Sequence, residues 1–335
     1  MFGVKAAFHL IVCSFASGLT GTDYADLGDV FVAIPRAFDK LSHYIDLVQH
    51  DRLYGYNMRN AVPLEPPRVN YGIKESEIIY YLQHALIAFC SQNFVDEKFC
   101  YCQGKFQDTK IYNNKTMESR AAVAVDPLNN HVVVSYRLSV ASLNWETNEE
   151  NDLVNYPTPD GQEMVHRGHL KYFRSIQQAT EDRVLELFND PRFKDFNLHV
   201  TGYSLGGSVT AISMPAWLDF LKRNKLSNKP QFFAYSSPRP GNLAFAQYIE
   251  TLNVPLVRYA KKGDIVPSLP DQSMGYSQAG QEFYDPGIIP NVPTHLKKCS
   301  PHFIQDKNCS LSDTIFFAPE HLLPFNKPFP TPPFC

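Results

Sequence analysis

The sequence predicts an α/β fold with a mostly parallel central sheet and helices on both faces. Two observations support this prediction. From about residue 69, runs rich in β-branched and aromatic residues alternate with amphipathic helical segments, which is typical of strands joined by crossover helices. The composition is that of a globular protein, since 44% of the 335 residues are hydrophobic and 19% are charged.

The predicted elements follow one another in a regular order. Residues 75–90 have apolar side chains at intervals of three and four, which predicts a helix. Two β-rich runs around the turn sequence DPLNN predict a hairpin. A long helix (169–188), a strand (196–201) and a further helix follow, the last with an expected kink at Pro215. PQFFAYSS, GNLAFAQYIETL and VPLVRYA then predict strand, helix and strand, and we expect long loops after residue 265.

The N-terminus has the features of a secretory signal. Lys5 precedes an apolar stretch that extends to about Phe15, and small residues follow it. A buried N-terminal helix is the alternative. We therefore divide the chain into a signal peptide (1–20), a pro-segment or N-terminal extension (21–68) and a main domain (69–335). No other stretch has the roughly 18 apolar residues of a membrane-spanning helix, so we expect no such segment in the mature chain.

Charge and cysteine content narrow the functional class and the compartment. The net charge is −3 and no run of Lys or Arg is present, which argues against a nucleic-acid partner. An even number of cysteines, six of the seven, lies beyond the signal, which favours a secreted chain with disulfides. The C-x-C spacing of Cys100 and Cys102 differs from the C-x2-C pairs of structural zinc sites. We expect no metal and no other cofactor.

Two sequons agree with export into the secretory pathway. Asn114 lies in N-K-T and Asn308 in N-C-S, and both match the acceptor pattern for N-glycosylation. Together with the signal and the cysteines, they predict an extracellular protein.

Ser204 occupies the centre of the sequence GYSLG, directly after a predicted strand and directly before a predicted helix. G-x-S-x-G between a strand and a helix is the nucleophile elbow. Its turn is sharp and needs small neighbours, which Gly202 and Gly206 provide. An ordinary turn serine is the alternative. GYSQAG (275–280) also has a serine between glycines, but its spacing differs and no predicted strand precedes it, so we interpret it as a plain loop.

A serine nucleophile needs a histidine base and an acid that orients the histidine. After a nucleophile elbow the chain order is Ser, acid, His. Asp264 follows the predicted strand VPLVRYA and is our candidate acid, with a turn residue as the alternative reading. Three histidines come later, and we favour His321, with His295 as second choice. His302 is less favoured because it lies within the short interval between Cys299 and Cys309.

The same chemistry needs two hydrogen-bond donors for the oxyanion that develops on the substrate. The backbone N–H of Leu205, directly after the nucleophile and at a helix N-terminus, is the first candidate. Ser139, shortly after the predicted strand VVVSY, is the second, and a helix-cap or turn serine is the alternative interpretation.

With these motifs identified, the sequence resembles the fungal class 3 lipases, which include filamentous-fungal triacylglycerol lipases and related feruloyl esterases. VTGYSLGG, SSPRPGNLAFAQYI, GDIVPSLP, VVSYRLS…NW, VHRGHL and HLLPF carry the resemblance, in order, over about residues 75–335. It implies an α/β-hydrolase fold, a Ser204–Asp264–His321 triad and an oxyanion hole of Ser139 and Leu205. It also implies a lid after the oxyanion-loop strand, with Trp145 in it.

The resemblance further implies a set of disulfides, namely Cys90–Cys335, Cys100–Cys102 and Cys299–Cys309. A bridge within C-x-C would be strained. The sequence also departs from the family at three points. Tyr203 replaces the usual histidine before the nucleophile, Leu138 replaces a glycine of the oxyanion loop, and the lid is acidic, with no Lys or Arg in residues 139–160. Such a lid should bind anionic lipid surfaces poorly.

These arguments predict a secreted serine carboxylic-ester hydrolase, first of all an acylglycerol lipase. Its partner would be an ester or lipid substrate, with transient contact to a lipid interface. A feruloyl or other soluble-ester esterase is the alternative that the acidic lid favours. A catalytically silent relative that binds lipid or protein is a third possibility.

Overall fold

An eight-stranded sheet with helices on both faces forms the centre of the molecule in the computed structural model. The structure describes residues 61–89, 106–139, 150–158, 160–287, 294–317, 320–321 and 323–326. The predicted signal peptide and most of the predicted extension lie outside these residues. Strand order in the sheet is β1-β2-β3-β6-β7-β9-β11-β12. The neighbours from β3 to β11 pair in parallel, and the outer pairs are antiparallel.

The strands of the central sheet are short to medium in length. In chain order they are β1 Gln107–Asn114, β2 Ser119–Asp126, β3 His131–Tyr136, β6 Asn197–Tyr203, β7 Pro230–Tyr235, β9 Leu256–Lys261, β11 Gln281–Asp285 and β12 Lys297–Lys298. A second, antiparallel sheet has the order β10-β8-β5-β4. Its strands are β4 Leu153–Asn155, β5 Met164–His166, β8 Gly241–Asn242 and β10 Tyr276–Ser277.

Four α-helices lie within the described residues, namely α1 Glu75–Leu86, α2 Arg167–Asn189, α3 Leu205–Arg223 and α4 Leu243–Thr251. Because successive side chains of a strand point to opposite faces, each parallel strand contributes to two cores. In β3, Val132 and Val134 belong to the larger core with α2, α3 and α4, whereas Val133 faces the other side. α1 covers that other side and packs on β3, β6 and β7.

The α/β-hydrolase prediction is confirmed. α3 contains Pro215, the residue at which the sequence predicts a kink. The region after residue 265 contains β11, which pairs in parallel with β9, where we expected loops. β11 was missed because QEFYD places Glu282 and Asp285 inside the sheet, and charged residues are depleted in strands. Arg258 binds the Glu282 carboxylate at 2.7 Å, and both side chains are buried.

The segment GYSQAG differs from its prediction in the same region. Tyr276 and Ser277 form β10 and pair with β8, so this stretch is not a plain loop. The pairing is only two residues long and involves a partner more than thirty positions away in sequence. A local pattern therefore had little chance of indicating it.

Residues 61–68, which belong to the predicted extension, pack against residues 301–304. The Leu64 N–H donates to the His302 carbonyl at 2.7 Å, and the Leu64 side chain enters the larger core. The Arg68 guanidinium is almost fully buried and binds Glu250 at 2.8 Å. The last residues of the predicted extension are therefore part of the packed structure.

Three buried histidines meet beneath α1, at the amino ends of the parallel strands. His84, His131 and His199 have imidazole centroids between 4.8 and 6.4 Å apart. His84 Nε2 lies 3.0 Å from a carboxylate oxygen of Asp126. The Gln231 amide contacts the other two rings, at 2.9 and 3.0 Å. Burial lowers the pKa of all three histidines, that of His131 to about 4.

This cluster predicts a loss of stability in mild acid. In the unfolded chain these histidines take up a proton near pH 6.5, whereas in the folded chain they do so only at lower pH. The free energy of unfolding should therefore fall as pH falls from 6.5 to about 4. His131 alone corresponds to roughly 3 kcal/mol over that interval. Denaturant titrations of wild type and His131→Gln at pH 7 and pH 5 test this, and the variant should lose less stability.

Comparing wild type with His131→Gln isolates the contribution of His131 to the pH dependence of stability. Other groups contribute with the opposite sign. One of these is Asp313, whose pKa burial raises to about 6. His302→Gln, at an exposed loop position, is the control for loss of an imidazole. Equal pH dependence in wild type and His131→Gln would contradict the prediction.

Candidate active site

The turn that carries Ser204 explains the glycines on either side of it. β6 ends at Tyr203, α3 begins at Leu205, and Ser204 between them has φ 55° and ψ −125°, which is unusual for a residue with a side chain. A Cβ on Gly202 would lie 2.3 Å from the Gly206 backbone, and one on Gly206 would lie 2.1 Å from the Tyr136 carbonyl oxygen. Only glycine fits at both positions.

Backbone hydrogen bonds hold the strained serine in place. The Ser204 N–H donates to the Tyr235 carbonyl at 2.9 Å, which ties the turn to the neighbouring strand β7. The Ser204 carbonyl accepts from Gly207 at 2.9 Å. Its side chain therefore lies at the carboxyl end of the sheet and at the N-terminus of α3, where the helix dipole favours negative charge.

His321 and Asp264 lie in line with the serine hydroxyl. His321 Nε2 is 2.9 Å from Ser204 Oγ, and His321 Nδ1 is 3.0 Å from both carboxylate oxygens of Asp264. A carboxylate only accepts hydrogen bonds, so Nδ1 carries the proton and the Nε2 lone pair faces the hydroxyl. Asp264 is 2% exposed, whereas Ser204 and His321 are each 9% exposed. All three side chains are thus buried, and the acid is the most deeply buried of them.

Asp264 is positioned by a tight turn directly after β9. Gly263 has φ +79°, a conformation that favours glycine, and the Asp264 N–H donates to the Lys261 carbonyl at 3.2 Å. One Asp264 oxygen also accepts the Val266 N–H at 3.0 Å. Since β9 is parallel to β6 and β7, this turn lies at the same edge of the sheet as Ser204.

The two alternative histidines lie elsewhere. His295 is exposed, and its Nδ1 is 3.4 Å from a carboxylate oxygen of Glu75 at the start of α1. His302 is exposed beside residues 61–68. The structure thus brings His321, the favoured candidate, to Ser204.

Of the two oxyanion candidates, Leu205 belongs to the elbow and Ser139 closely follows a residue that contacts the elbow. Leu205 is the first residue of α3. Ser139 is buried three residues after β3, and the end of β3 lies against the elbow because Gly206 packs on Tyr136. Leu138, the departure from the family pattern, packs against the apolar cluster beneath α1. The larger side chain at this position is therefore accommodated by the core.

The later part of the predicted lid (139–160), from residue 150 onward, binds the start of α2. Glu150 binds Lys171 at 2.7 Å, and Asp152 binds Arg167 at 3.1 Å. Two of the acidic residues in this region are thus paired with bases from outside it. Trp145, in the predicted lid, lies outside the part of the chain that the structure describes.

One predicted disulfide falls within the described residues. Cys299 and Cys309 form a bond that closes the loop around His302. Glu282 lies beside this disulfide and accepts a hydrogen bond from Arg258. Because the two sulfur atoms are bonded to each other, Glu282, Cys299 and Cys309 offer no free thiolate to a metal. Cys90, Cys100, Cys102 and Cys335 lie outside the described residues.

The two sequons occupy different settings. Asn114, at the end of β1, donates from its side-chain amide to the Ser175 carbonyl at 3.2 Å. Asn308 is exposed next to the disulfide. Across the described ranges, no helix has both the length and the hydropathy needed to cross a membrane.

Comparisons with known proteins agree with this geometry. The sequence profile of the family described as "Lipase (class 3)" matches residues 133–274. The lipase of Rhizomucor miehei is 27% identical over 243 residues, which are 71% of this chain and 64% of that lipase. The secreted mono- and diacylglycerol lipase 1 of Fusarium solani is 29% identical over 225 residues, which are 62% of this chain and 63% of that enzyme. The chain thus spans just under two thirds of these relatives.

A solved structure shows the same arrangement of elements. It is that of a triacylglycerol lipase whose catalytic centre is formed by a serine protease triad. The similarity has a TM-score of 0.64 at 25% sequence identity, and it covers 76% of this chain and 95% of that one.

Proposed function

We propose that the chain is a member of the class 3 lipase family and a secreted serine hydrolase of acylglycerol esters, which the matched family profile and the similar fungal lipases support. The single observation that carries the proposal is the contact of 2.9 Å between Ser204 Oγ and His321 Nε2, with Asp264 bound to the opposite ring nitrogen. This is the arrangement that makes a serine hydroxyl nucleophilic.

In the proposed reaction, Ser204 Oγ attacks the ester carbonyl carbon while His321 Nε2 takes its proton. Asp264 holds the imidazole tautomer and stabilises the positive charge. The backbone N–H groups of Leu205 and Ser139 stabilise the oxyanion. The intermediate collapses, and His321 passes the proton to the leaving alcohol. Water then attacks the acyl carbon while His321 takes its proton, and His321 returns that proton to Ser204 Oγ as the carboxylic acid leaves. No cofactor takes part.

Two exposed apolar side chains support a substrate in a lipid surface. Ile315 and Phe317 are 63% and 58% exposed, on either side of the buried Phe316. The Phe317 N–H donates to the Gly263 carbonyl at 2.9 Å, directly before Asp264. Large apolar side chains therefore face solvent beside the proposed acid. The acidic residues of the predicted lid favour the second candidate, a soluble-ester esterase.

The two candidates differ in their response to an interface. A lipase should hydrolyse emulsified long-chain triglyceride faster once the substrate exceeds its solubility limit, whereas an esterase should show no such increase. In a lipase, Phe317→Ser should bind the emulsion roughly tenfold more weakly, since burial of a phenylalanine is worth roughly 1.5–3 kcal/mol. Its activity on a soluble aryl ester should stay unchanged.

Leu128→Ser is the matched control for that variant. Leu128 is 74% exposed in the turn before β3, at the opposite edge of the sheet from Ser204. It should behave like wild type on both substrates. Equal rates below and above the solubility limit in all three proteins would favour the esterase, and no labelling of Ser204 by a fluorophosphonate would favour a silent relative.

Export and processing are further parts of the proposal. The signal peptide is assigned to residues 1–20 and the extension to residues 21–68. N-terminal sequencing of protein collected from the medium tests both assignments. Because Arg68 and Leu64 are packed into the domain, we expect residues 61–68 to stay bound wherever cleavage occurs.

A further inference from the structure

Three tyrosines form a row across the parallel strands beside the candidate site. Tyr203 on β6 is in register with Tyr235 on β7, which is in register with Tyr259 on β9. All three are at most 1% exposed, and all belong to the apolar cluster beneath α1. Since Ser204 directly follows Tyr203, this row lies at the base of the elbow.

The hydroxyl groups of the row reach different targets. Tyr203 donates to the backbone carbonyl of His321 at 2.7 Å. Tyr259 donates to Asp285 at 2.9 Å and accepts the Phe325 N–H at 2.9 Å. The middle tyrosine, Tyr235, donates to the Ile78 carbonyl in α1 at 2.7 Å. The two outer tyrosines thus hold the segment that contains the base, and the middle one holds a helix.

The segment around His321 depends on such contacts for its position. Within its described residues, 320–321 and 323–326, the regular structure is confined to short 3-10 stretches, at residues 320–321 and at Pro324–Asn326. Glu320, at its start, is paired with the almost fully buried Lys261. Side chains from the sheet therefore place this segment.

We propose that Tyr203 is a positioning residue for His321, and this inference rests on the proposed function. Its hydroxyl links the backbone of the base to the residue directly before the nucleophile. The bond therefore sets the distance between Nε2 and Ser204 Oγ through a buried path of one side chain. Burial keeps the pKa of Tyr203 well above its ordinary value, so the hydroxyl remains a donor. Tyr203, which stands where the resembled family has a histidine, thus holds the base through its hydroxyl.

Tyr203→Phe tests the proposal because it removes only the hydroxyl. We expect kcat on a soluble aryl ester to fall roughly tenfold to a hundredfold, since small displacements of catalytic groups have effects of that size. KM should change less than about twofold, because the substrate-binding surface is untouched. The rate of Ser204 labelling by a fluorophosphonate should fall by the same factor as kcat.

Tyr235→Phe is the matched control. It removes an equally buried hydroxyl that also donates to a backbone carbonyl, and it keeps the Tyr235 backbone carbonyl that accepts the Ser204 N–H. It should therefore cost similar stability and leave kcat unchanged. Tyr259→Phe should give a smaller loss in the same direction, through Phe325. It keeps the idea testable if Tyr203→Phe does not fold.

An NMR measurement separates this inference from the proposed function. The His321 Nδ1 proton signal, which reports the bond to Asp264, should change in Tyr203→Phe and stay in Tyr235→Phe, whether or not any ester is hydrolysed. Wild type without esterase activity would refute the proposed function alone. An unchanged His321 signal and unchanged labelling in Tyr203→Phe, or an equal loss in Tyr235→Phe, would overturn the positioning role.

Discussion

Replacement of Ser204 by alanine should lower kcat on a soluble aryl ester by at least about a thousandfold. The reason is geometric. Among the described residues, the hydroxyl that lies 2.9 Å from His321 Nε2 is that of Ser204. Alanine also fits the strained turn as well as serine does, so thermal unfolding should change little. Rates on the ester and unfolding curves of both proteins provide the measurement.

Ser277 offers a control with the same local sequence. It also follows Gly-Tyr, and it is buried in β10 with its hydroxyl directed to the Gln278 carbonyl at 3.3 Å. Ser277→Ala should therefore retain activity within about twofold, a change typical of sites outside the chemistry. If Ser204→Ala kept more than a few per cent of the wild-type rate, Ser204 would not be the nucleophile.

Replacement of Asp264 by asparagine should lower kcat by about a thousandfold to ten-thousandfold, as the same change does in the serine protease triad. An amide can still accept from Val266, so the turn after β9 should persist. However, it carries no charge to stabilise the imidazolium, and its NH2 group can donate to Nδ1 and reverse the tautomer. The loss should be equal on soluble and emulsified esters, because the chemical step is affected.

Asp271→Asn provides the matched control for this change. Asp271 accepts the Ser273 N–H at 2.8 Å in the next turn of the chain, and asparagine can do the same. Wild-type kinetics are expected for this variant. A kcat of Asp264→Asn within about tenfold of wild type would contradict the role of Asp264, since a triad acid contributes far more than that.

Part of the site could be predicted because its signals are local. The glycines around Ser204 follow from a turn so tight that a Cβ would lie 2.1 to 2.3 Å from backbone atoms, and the strand before it and the helix after it have clear periodicity. Asp264 could be predicted because it follows an apolar strand. The choice among three histidines had no such local basis, since Ser204 and His321 are 117 residues apart.

One missed element, β11, contains residue types that are unusual for a strand of the central sheet. β11 places Glu282 and Asp285 in the sheet, and its signal is a polar one. Arg258 and Tyr259, from the neighbouring strand, satisfy these carboxylates. Pairing across strands thus offsets the desolvation of the charges, and that compensation cannot be read from β11 alone.

By itself, the sequence of this protein determined the α/β-hydrolase fold and the position of the elbow, because period, glycine spacing and motif order are properties of short stretches. Only the tertiary structure decided which histidine contacts Ser204, how Tyr203 is used and where residues 61–68 pack. These features depend on contacts between distant residues. Such contacts form when burial, hydrogen bonding and charge pairing are satisfied together across the whole domain.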